Sequence, residues 1–246
     1  RHSSIPFELA VSVAESTPAD VTVASFYDSD PDDIEVPAQA SLPVTIRPLG
    51  GTNRFDPRAW RQFRAVLTDG YDLLHTHHNF SGSVARVFAR RAGVPVVDTE
   101  HQPHDSLSPL QNAVNAPTLP LAARVVLNSR STAASLRWYE RALLEDDRLT
   151  VVYNGVDLDA VAAAVESQSG DDRFRVCTAG RMVPIKNLAT LVRAFASFAA
   201  DHPETRLRLV GDGPRRSALE SLAMDLGIRP QVEFPGFVPR RGVYEA

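Results

Sequence analysis

The chain's single lysine, Lys186, stands five residues after Arg181 in the segment Ala179-Gly180-Arg181-Met182-Val183-Pro184-Ile185-Lys186-Asn187-Leu188. Arginine presents a planar fork suited to phosphate oxygens, and lysine adds a compact point charge. Gly180 closes an apolar run and lets a ligand come close to the backbone. Asn187 can cap the helix that the following residues predict, and the N–H groups at a helix start favour an anion. Strand, glycine, two cations and helix start together read as a phosphate cradle, without the spacing of a P-loop. The plain alternative is two solvated surface cations. Further on, Gly211 and Gly213 bracket Asp212 ahead of Pro214, a residue suited to the first turn of a helix. Phe234-Pro235-Gly236-Phe237-Val238 then supplies an apolar turn able to wall a flat ring.

A second constellation is histidine-rich. Leu74-His75-Thr76-His77-His78-Asn79 and Thr99-Glu100-His101-Gln102-Pro103-His104 gather five of the seven histidines. Strand alternation puts His75 and His77 on one face. Three readings compete. The histidines could hold a metal together with Glu100 or Asp105. They could hydrogen-bond loop backbone at strand ends. Or one or two of them could bind or polarise a hydroxyl-bearing substrate. Asn154-Gly155-Val156-Asp157 reads locally as a turn feeding a helix capped by Asp157.

These segments matter only if strands and helices deliver them to one place. Short β-branched runs alternate with helical patterns along the chain. The predicted strands are Val21–Phe26, Val44–Pro48, Tyr71–His75, Val94–Thr99, Arg124–Asn128, Leu149–Tyr153, Phe174–Ala179, Thr205–Val210 and Gln231–Phe234. The predicted helices are Ile5–Ser16, Pro57–Thr68, Gly82–Ala92, Ser131–Leu144, Leu158–Glu166, Leu188–Ala200 and Arg215–Leu226. In the sixth of these, Leu188, Leu191, Val192, Phe195, Phe198 and Ala199 recur at helical spacing and mark a buried face. Such alternation implies βαβ units and parallel sheets covered on both faces. Open α/β sheets bind ligands beyond the carboxyl ends of their strands, where the motifs above fall. The polar stretch Glu166–Arg173 has a linker's composition, so a boundary near Ser169 gives domains 1–168 and 169–246. Asp28–Gln39, acidic and proline-containing, reads as a surface loop.

Composition narrows the class. With 246 residues, 43% of them hydrophobic and 23% charged, the chain matches one large or two small globular domains. No apolar run approaches the roughly 20 residues of a membrane-spanning helix, and no signal-peptide pattern opens the chain. One cysteine, Cys177, cannot make an internal disulfide, which suits a reducing cytoplasm. A net charge of −4 gives no reason to expect a nucleic-acid partner.

GRMVPIKN, LRLVGDGP and VEFPGFVP, with NGVD and VVLNSRSTAASL before them, resemble retaining GT-B glycosyltransferases of family 4. The likeness runs from about Leu73 to Val238. It implies two Rossmann-like, doubly wound α/β domains facing a cleft, the second truncated, and an EC 2.4 transferase. A nucleotide-diphosphate sugar would sit on Gly180, Arg181, Lys186, Asn187, Gly211, Asp212, Gly213, Phe237 and Val238. A hydroxyl acceptor (glycan, lipid or small molecule) would sit on the side of His75, His77 and Asn154. Arg181 and Lys186 match the pair on the donor diphosphate, and His101 matches a histidine beside the reacting sugar. The resemblance implies no metal and no further cofactor, because the two cations supply the charge. It also implies a cytoplasmic enzyme, with peripheral contact at the inner membrane surface.

Two departures stand out. The family's first strand with its glycine-rich loop is expected before Arg1, and its E-x7-E segment after Ala246. By that pattern the chain reads as a fragment, inactive by itself. Three alternatives remain: a non-catalytic subunit that binds sugar nucleotides, a nucleotide-sugar 2-epimerase of the same fold, and a metal-dependent hydrolase using the histidine cluster.

Overall fold

The computed structural model describes residues 5–28, 43–166, 174–238 and 242–243. The boundary at Ser169, the linker over 167–173 and most of the loop after Asp28 lie outside them. The chain divides into two compact units, Arg1–Gly155 and Val156–Ala246.

The first unit opens with helix α1 (Ile5–Ser16), followed by strands β1 (Val21–Ser25) and β2 (Val44–Pro48), which pair parallel. After helix α2 (Pro57–Leu67) come β3 (Leu74–Thr76), α3 (Asn79–Ala92), β4 (Val96–Glu100), α4 (Pro109–Thr118), β5 (Arg124–Leu127), α5 (Arg130–Ala134), α6 (Trp138–Leu143) and β6 (Leu149–Val151). Strands β3 to β6 form one parallel sheet in sequential order. No backbone ladder joins β1–β2 to it among the described residues. Apolar packing does so instead, with Leu49 after β2, Ala59, Phe63 and Leu67 of α2, Ala85 and Ala89 of α3, and Val96 of β4 in one cluster.

Three helices depart from expectation. The expected start at Gly82 moves back to Asn79, and the helix ends at Gly93, whose φ of 75° is the left-handed cap conformation. Helix α4 was not anticipated. Its two prolines hide the pattern, but Pro109 sits in the first turn, where no intrahelical donor is needed. Ser108 and Gln111 close a capping box over it. The single helix expected over Ser131–Leu144 is two, α5 and α6. Ser129 caps the first by accepting from the Thr132 N–H at 3.0 Å. At the interruption the Ser135 hydroxyl accepts from the His104 N–H at 2.8 Å, and Glu140 accepts from the Arg137 N–H at 2.8 Å. The Arg137 N–H that the interruption frees from the helix ladder is thus satisfied by Glu140.

Beneath α3 and α4 lies a buried polar layer. Arg86 of α3 is wholly buried and its Nη1 stands 2.6 Å from Oδ1 of Asp98 on β4. Thr76 of β3 also donates to that carboxylate. Arg86 Nη2 donates to Ser83 Oγ at 3.1 Å, to Thr118 Oγ1 at 2.9 Å and to Asn115 Oδ1. Nearby, the wholly buried His104 ring meets Glu140 at 2.8 Å.

The second unit carries α7 (Leu158–Glu166), β7 (Arg175–Ala179), α8 (Leu188–Asp201), β8 (Arg206–Val210), α9 (Arg216–Asp225) and β9 (Val232–Gly236), with β7-β8-β9 parallel. Its core joins Met182, Val192, Phe195, Ala199, Leu207, Leu209, Leu219, Ala223, Ile228 and Val232. Phe198, expected in the buried face, is 40% exposed and instead packs on Phe174 and His202, ring centroids 6.2 Å and 4.4 Å away.

Two stability predictions follow from the buried layer. The chain's two tryptophans, Trp60 and Trp138, both lie in the first unit, so their fluorescence reports its unfolding alone. Arg86→Met strands Asp98 as an uncompensated buried charge and should cost about 3–5 kcal/mol in urea titrations. Arg86→Met with Asp98→Leu should cost clearly less, because both charges are gone. The second concerns pH. Burial pulls the His104 pKa down, but the hydrogen bond and charge of Glu140 outweigh it and leave it above its ordinary value of 6.5. Burial and the Asp98 charge push Glu100 up as well. Both groups thus hold protons more tightly folded than unfolded, so what they contribute to stability falls as pH rises. The lowered histidines of the same unit act in the opposite direction, so the pair is read as a difference: Glu140→Gln should lose less unfolding free energy than the unmodified chain between about pH 6.5 and about pH 8. A slope that Glu140→Gln leaves unchanged would show that the pair is not its source.

Candidate active site

Strand alternation sorts the carboxyl edge of the first unit's sheet into two faces. Thr76, Asp98 and Glu100 turn toward α3 and α4 and are buried. His75, His77, Thr99 and His101 make the opposite set. His75 Nε2 lies 2.8 Å from Thr99 Oγ1, and His77 Nδ1 lies 3.1 Å from His101 Nε2. The His75 and His77 rings are 4.1 Å apart between centroids, and the His77 and His101 rings stack at 5.4 Å. Burial, then the charges of His75, His101 and His78, push His77 down to about 3. Burial and the His78 charge also lower His101. Neutral rings at 3.1 Å mean that one nitrogen donates while the other accepts. Such a cluster offers polarity and proton exchange without fixed charge.

The five histidines of the two motifs part company here. His75, His77 and His101 converge. His78 is exposed at the start of α3, and His104 is buried against Glu140. Glu100, weighed as a metal ligand, has both oxygens engaged: Asn79 donates to Oε2, and Asn115 donates to Oε1 at 2.7 Å. Asp105 is exposed. Among the described residues, no three His, Cys, Asp or Glu side chains are grouped to share a metal ion. Asn154 lies exposed beyond β6, two strands along from β4, and is not drawn into the histidine cluster.

In the second unit the loops after β7, β8 and β9 are stitched together by backbone. Gly180 N–H donates to Val210 O at 2.9 Å, Met182 N–H to Asp212 O at 2.8 Å and Gly211 N–H to Gly236 O at 2.8 Å. The close approach that glycine permits is realised inside the protein. A Cβ on Gly211 would lie 2.1 Å from the Gly180 carbonyl oxygen, and one on Gly213 would lie 2.6 Å from that of Met182. Gly180 itself faces open space, with nothing within 4 Å of its Cβ position.

Arg181 and Lys186 are both exposed, and among the described residues neither side chain has an ion-pair or hydrogen-bond partner. Lys186 closes a 3-10 turn, Pro184–Lys186. Asn187 follows in the left-handed conformation, φ 47° and ψ 37°, at the N-cap position of α8. Its side chain does not cap the helix backbone; Oδ1 accepts from the Thr190 hydroxyl at 3.0 Å. The first N–H groups of α8 therefore stay free of that side chain, beside two unpaired cations. Asp212 is engaged by Arg216 at 3.1 Å and by the Gly213 N–H at 2.7 Å. Phe237, half exposed, and Val238 follow β9 at the same sheet edge.

Sequence reasoning missed the polar layer under the histidines. One signal was present: Asp98 and Glu100 alternate on a strand otherwise made of Val96, Val97 and Thr99. Two acids on one face of a buried strand require partners, and Arg86 is the cation that α3 turns inward.

Known proteins resemble this chain. The description of Glycosyltransferase Family 4 matches residues 10–160, and that of glycosyl transferases group 1 matches residues 163–246. A D-inositol 3-phosphate glycosyltransferase of Acidothermus cellulolyticus is 33% identical over 197 residues, covering 69% of this chain and 43% of that protein. The chain thus spans less than half the length of that relative. Among solved structures, a glycosyltransferase from Rickettsia africae aligns over 98% of this chain and 67% of its own at 14% identity, with a TM-score of 0.66. Anabaena Alr3699/HepE in complex with UDP-glucose aligns over 82% and 57% at 20% identity, with a TM-score of 0.63. These likenesses show the shared GT-B glycosyltransferase fold. The first match carries the histidine edge and covers more than half of the residues, and the second carries the loops of Arg181 and Lys186: the chain belongs to glycosyltransferase family 4.

Proposed function

We propose that this chain serves retaining glycosyl transfer from a nucleotide-diphosphate sugar to a hydroxyl acceptor. One observation carries the donor side: Arg181 and Lys186 stand exposed and unpaired at a sheet's carboxyl edge, beside the uncapped start of α8. A diphosphate satisfies that arrangement, with the arginine fork and the lysine taking its oxygens and the helix amides adding their dipoles. As the bond between anomeric carbon and diphosphate oxygen breaks, negative charge grows on the departing phosphate. Cations already in place stabilise it without reorganisation. Phe237 and Val238 offer an apolar wall to the base, and UDP-glucose in the Anabaena relative supports this class of donor. The neutral His75, His77 and His101 cluster suits hydroxyl groups, with His101 nearest the reacting sugar by family likeness. We extend the proposal to the absence of a metal requirement, since Arg181 and Lys186 supply the positive charge.

Calorimetric titration with UDP and GDP tests the donor site on the chain itself. Arg181→Ala and Lys186→Ala should each weaken binding by about 10- to 100-fold, the loss expected for a charge-assisted hydrogen bond. Both should leave the second unit folded, read as an unchanged far-ultraviolet circular dichroism melt, since the tryptophans report the first unit only. Lys186→Arg should recover only part of the loss, because a fork does not replace a point charge. Binding unaffected by either alanine would remove the diphosphate from this loop. In the protein that carries this chain, each alanine should lower kcat by on the order of 10²–10³.

Dialysis against a chelator gives a separate check. Nucleoside-diphosphate affinity and transfer should both survive it. Loss of transfer on chelation, restored by a divalent ion, would show that the two cations do not suffice.

A further inference from the structure

The backbone ladder between β3 and β4 ends at Thr76 and Asp98. His77 and His101, the pair in hydrogen-bonding distance, lie past it, so no main-chain bond of that ladder sets their separation. What spans the gap is a side-chain bridge on the opposite face. Asn79, two residues after His77, donates to Glu100, the residue before His101. The bridge is anchored from behind: Asn115 of α4 donates to the other Glu100 oxygen at 2.7 Å. Asn115 cannot turn over, because its own Oδ1 accepts from Ser83 Oγ at 3.1 Å and from Arg86. Glu100 is 2% exposed and Asn115 is wholly buried.

We propose that Glu100 is a positioning residue: accepting from Asn79 on one side and Asn115 on the other, it fixes the ends of β3 and β4 against each other and thereby holds His77 against His101. The chemistry suits the task. Two amide donors converge on one side chain, and only a group with two acceptor oxygens receives both. A buried carboxyl costs stability that an apolar side chain of like size would not, so what it adds is geometry. The catalytic meaning of the pair rests on the proposed transfer function; the bridge itself does not.

The test exchanges donor and acceptor across the bridge. At a pH high enough to ionise both groups, Asn79→Asp sets a carboxylate against the Glu100 carboxylate and breaks the link, so the spectra are compared there. Adding Glu100→Gln supplies an amide donor toward that carboxylate while its oxygen still accepts from Asn115, and so rebuilds the link with its polarity reversed. The readout is the ring-nitrogen signals of His77 and His101 in long-range proton–nitrogen spectra of the labelled chain, assigned with His77→Ala. Asn79→Asp should shift both rings' signals, and Asn79→Asp/Glu100→Gln should return them toward those of the unmodified chain. Signals unmoved by Asn79→Asp would overturn the proposal, as would a double variant that stays displaced. Glu100→Ala should shift the same signals; a lower tryptophan unfolding midpoint with unmoved rings would reduce Glu100 to a structural role. In the protein that carries this chain, Asn79→Asp should lower kcat/KM by on the order of 10² through misplacement alone, with recovery in the double variant. Ring signals that move and recover while transfer stays constant would leave Glu100 as a positioning residue and remove the histidine pair from the reaction.

Discussion

The first unit depends on a charge that had to be buried. Asp98 and Glu100 share one face of a strand covered by α3 and α4, where neither carboxylate can reach water. Arg86 answers the first at 2.6 Å, and its remaining donors go to Ser83, Asn115 and Thr118. Each of those partners lies on α3 or α4, so one guanidinium ties two helices to the strand. A cluster of leucines could fill that volume, but it would not dictate the register between helix and strand. Directional bonds do, and the histidine edge lies directly above them.

The second unit reaches the same end by another route. Among the described residues, no buried ion pair supports its loops. Backbone N–H groups of Gly180, Met182 and Gly211 bond across the ends of β7, β8 and β9, and glycine brings the chains close enough to do so. Because main chain does the joining, the side chains of Arg181 and Lys186 are spared. In the first unit the polar side chains are consumed by the scaffold; in the second they remain unspent at the surface.

How much of this the sequence made legible varied with the range of the interaction. The alternation of strand and helix, the carboxyl-edge location of the motifs and the loop of Arg181 and Lys186 all follow from local pattern. Local pattern also pairs His75 with His77, whose rings are in contact. It failed where a distant residue decided the outcome. The split between α5 and α6 depends on Ser135 and Glu140 meeting His104, more than thirty residues earlier in the chain. Asn187 looked like a cap, yet its oxygen serves Thr190, which only the left-handed backbone at that position reveals. The role of Gly211 was read toward a ligand, whereas its nearest neighbour is the Gly180 carbonyl. Arg86 carried no local signal, since an arginine on an amphipathic helix normally faces water.

The response of the histidine edge to pH bears on the proposed transfer. His77 is held near 3 by burial and by neighbouring rings, and burial with the His78 charge keeps His101 below its usual value. Protonating one ring raises the cost of protonating the next, so the cluster resists charging as a group. The glycosyl transfer proposed above asks fixed positive charge of one edge and neutrality of the other. A departing diphosphate needs cations that stay charged, and a sugar or acceptor hydroxyl needs hydrogen-bond partners that do not repel the positive character growing at the anomeric carbon.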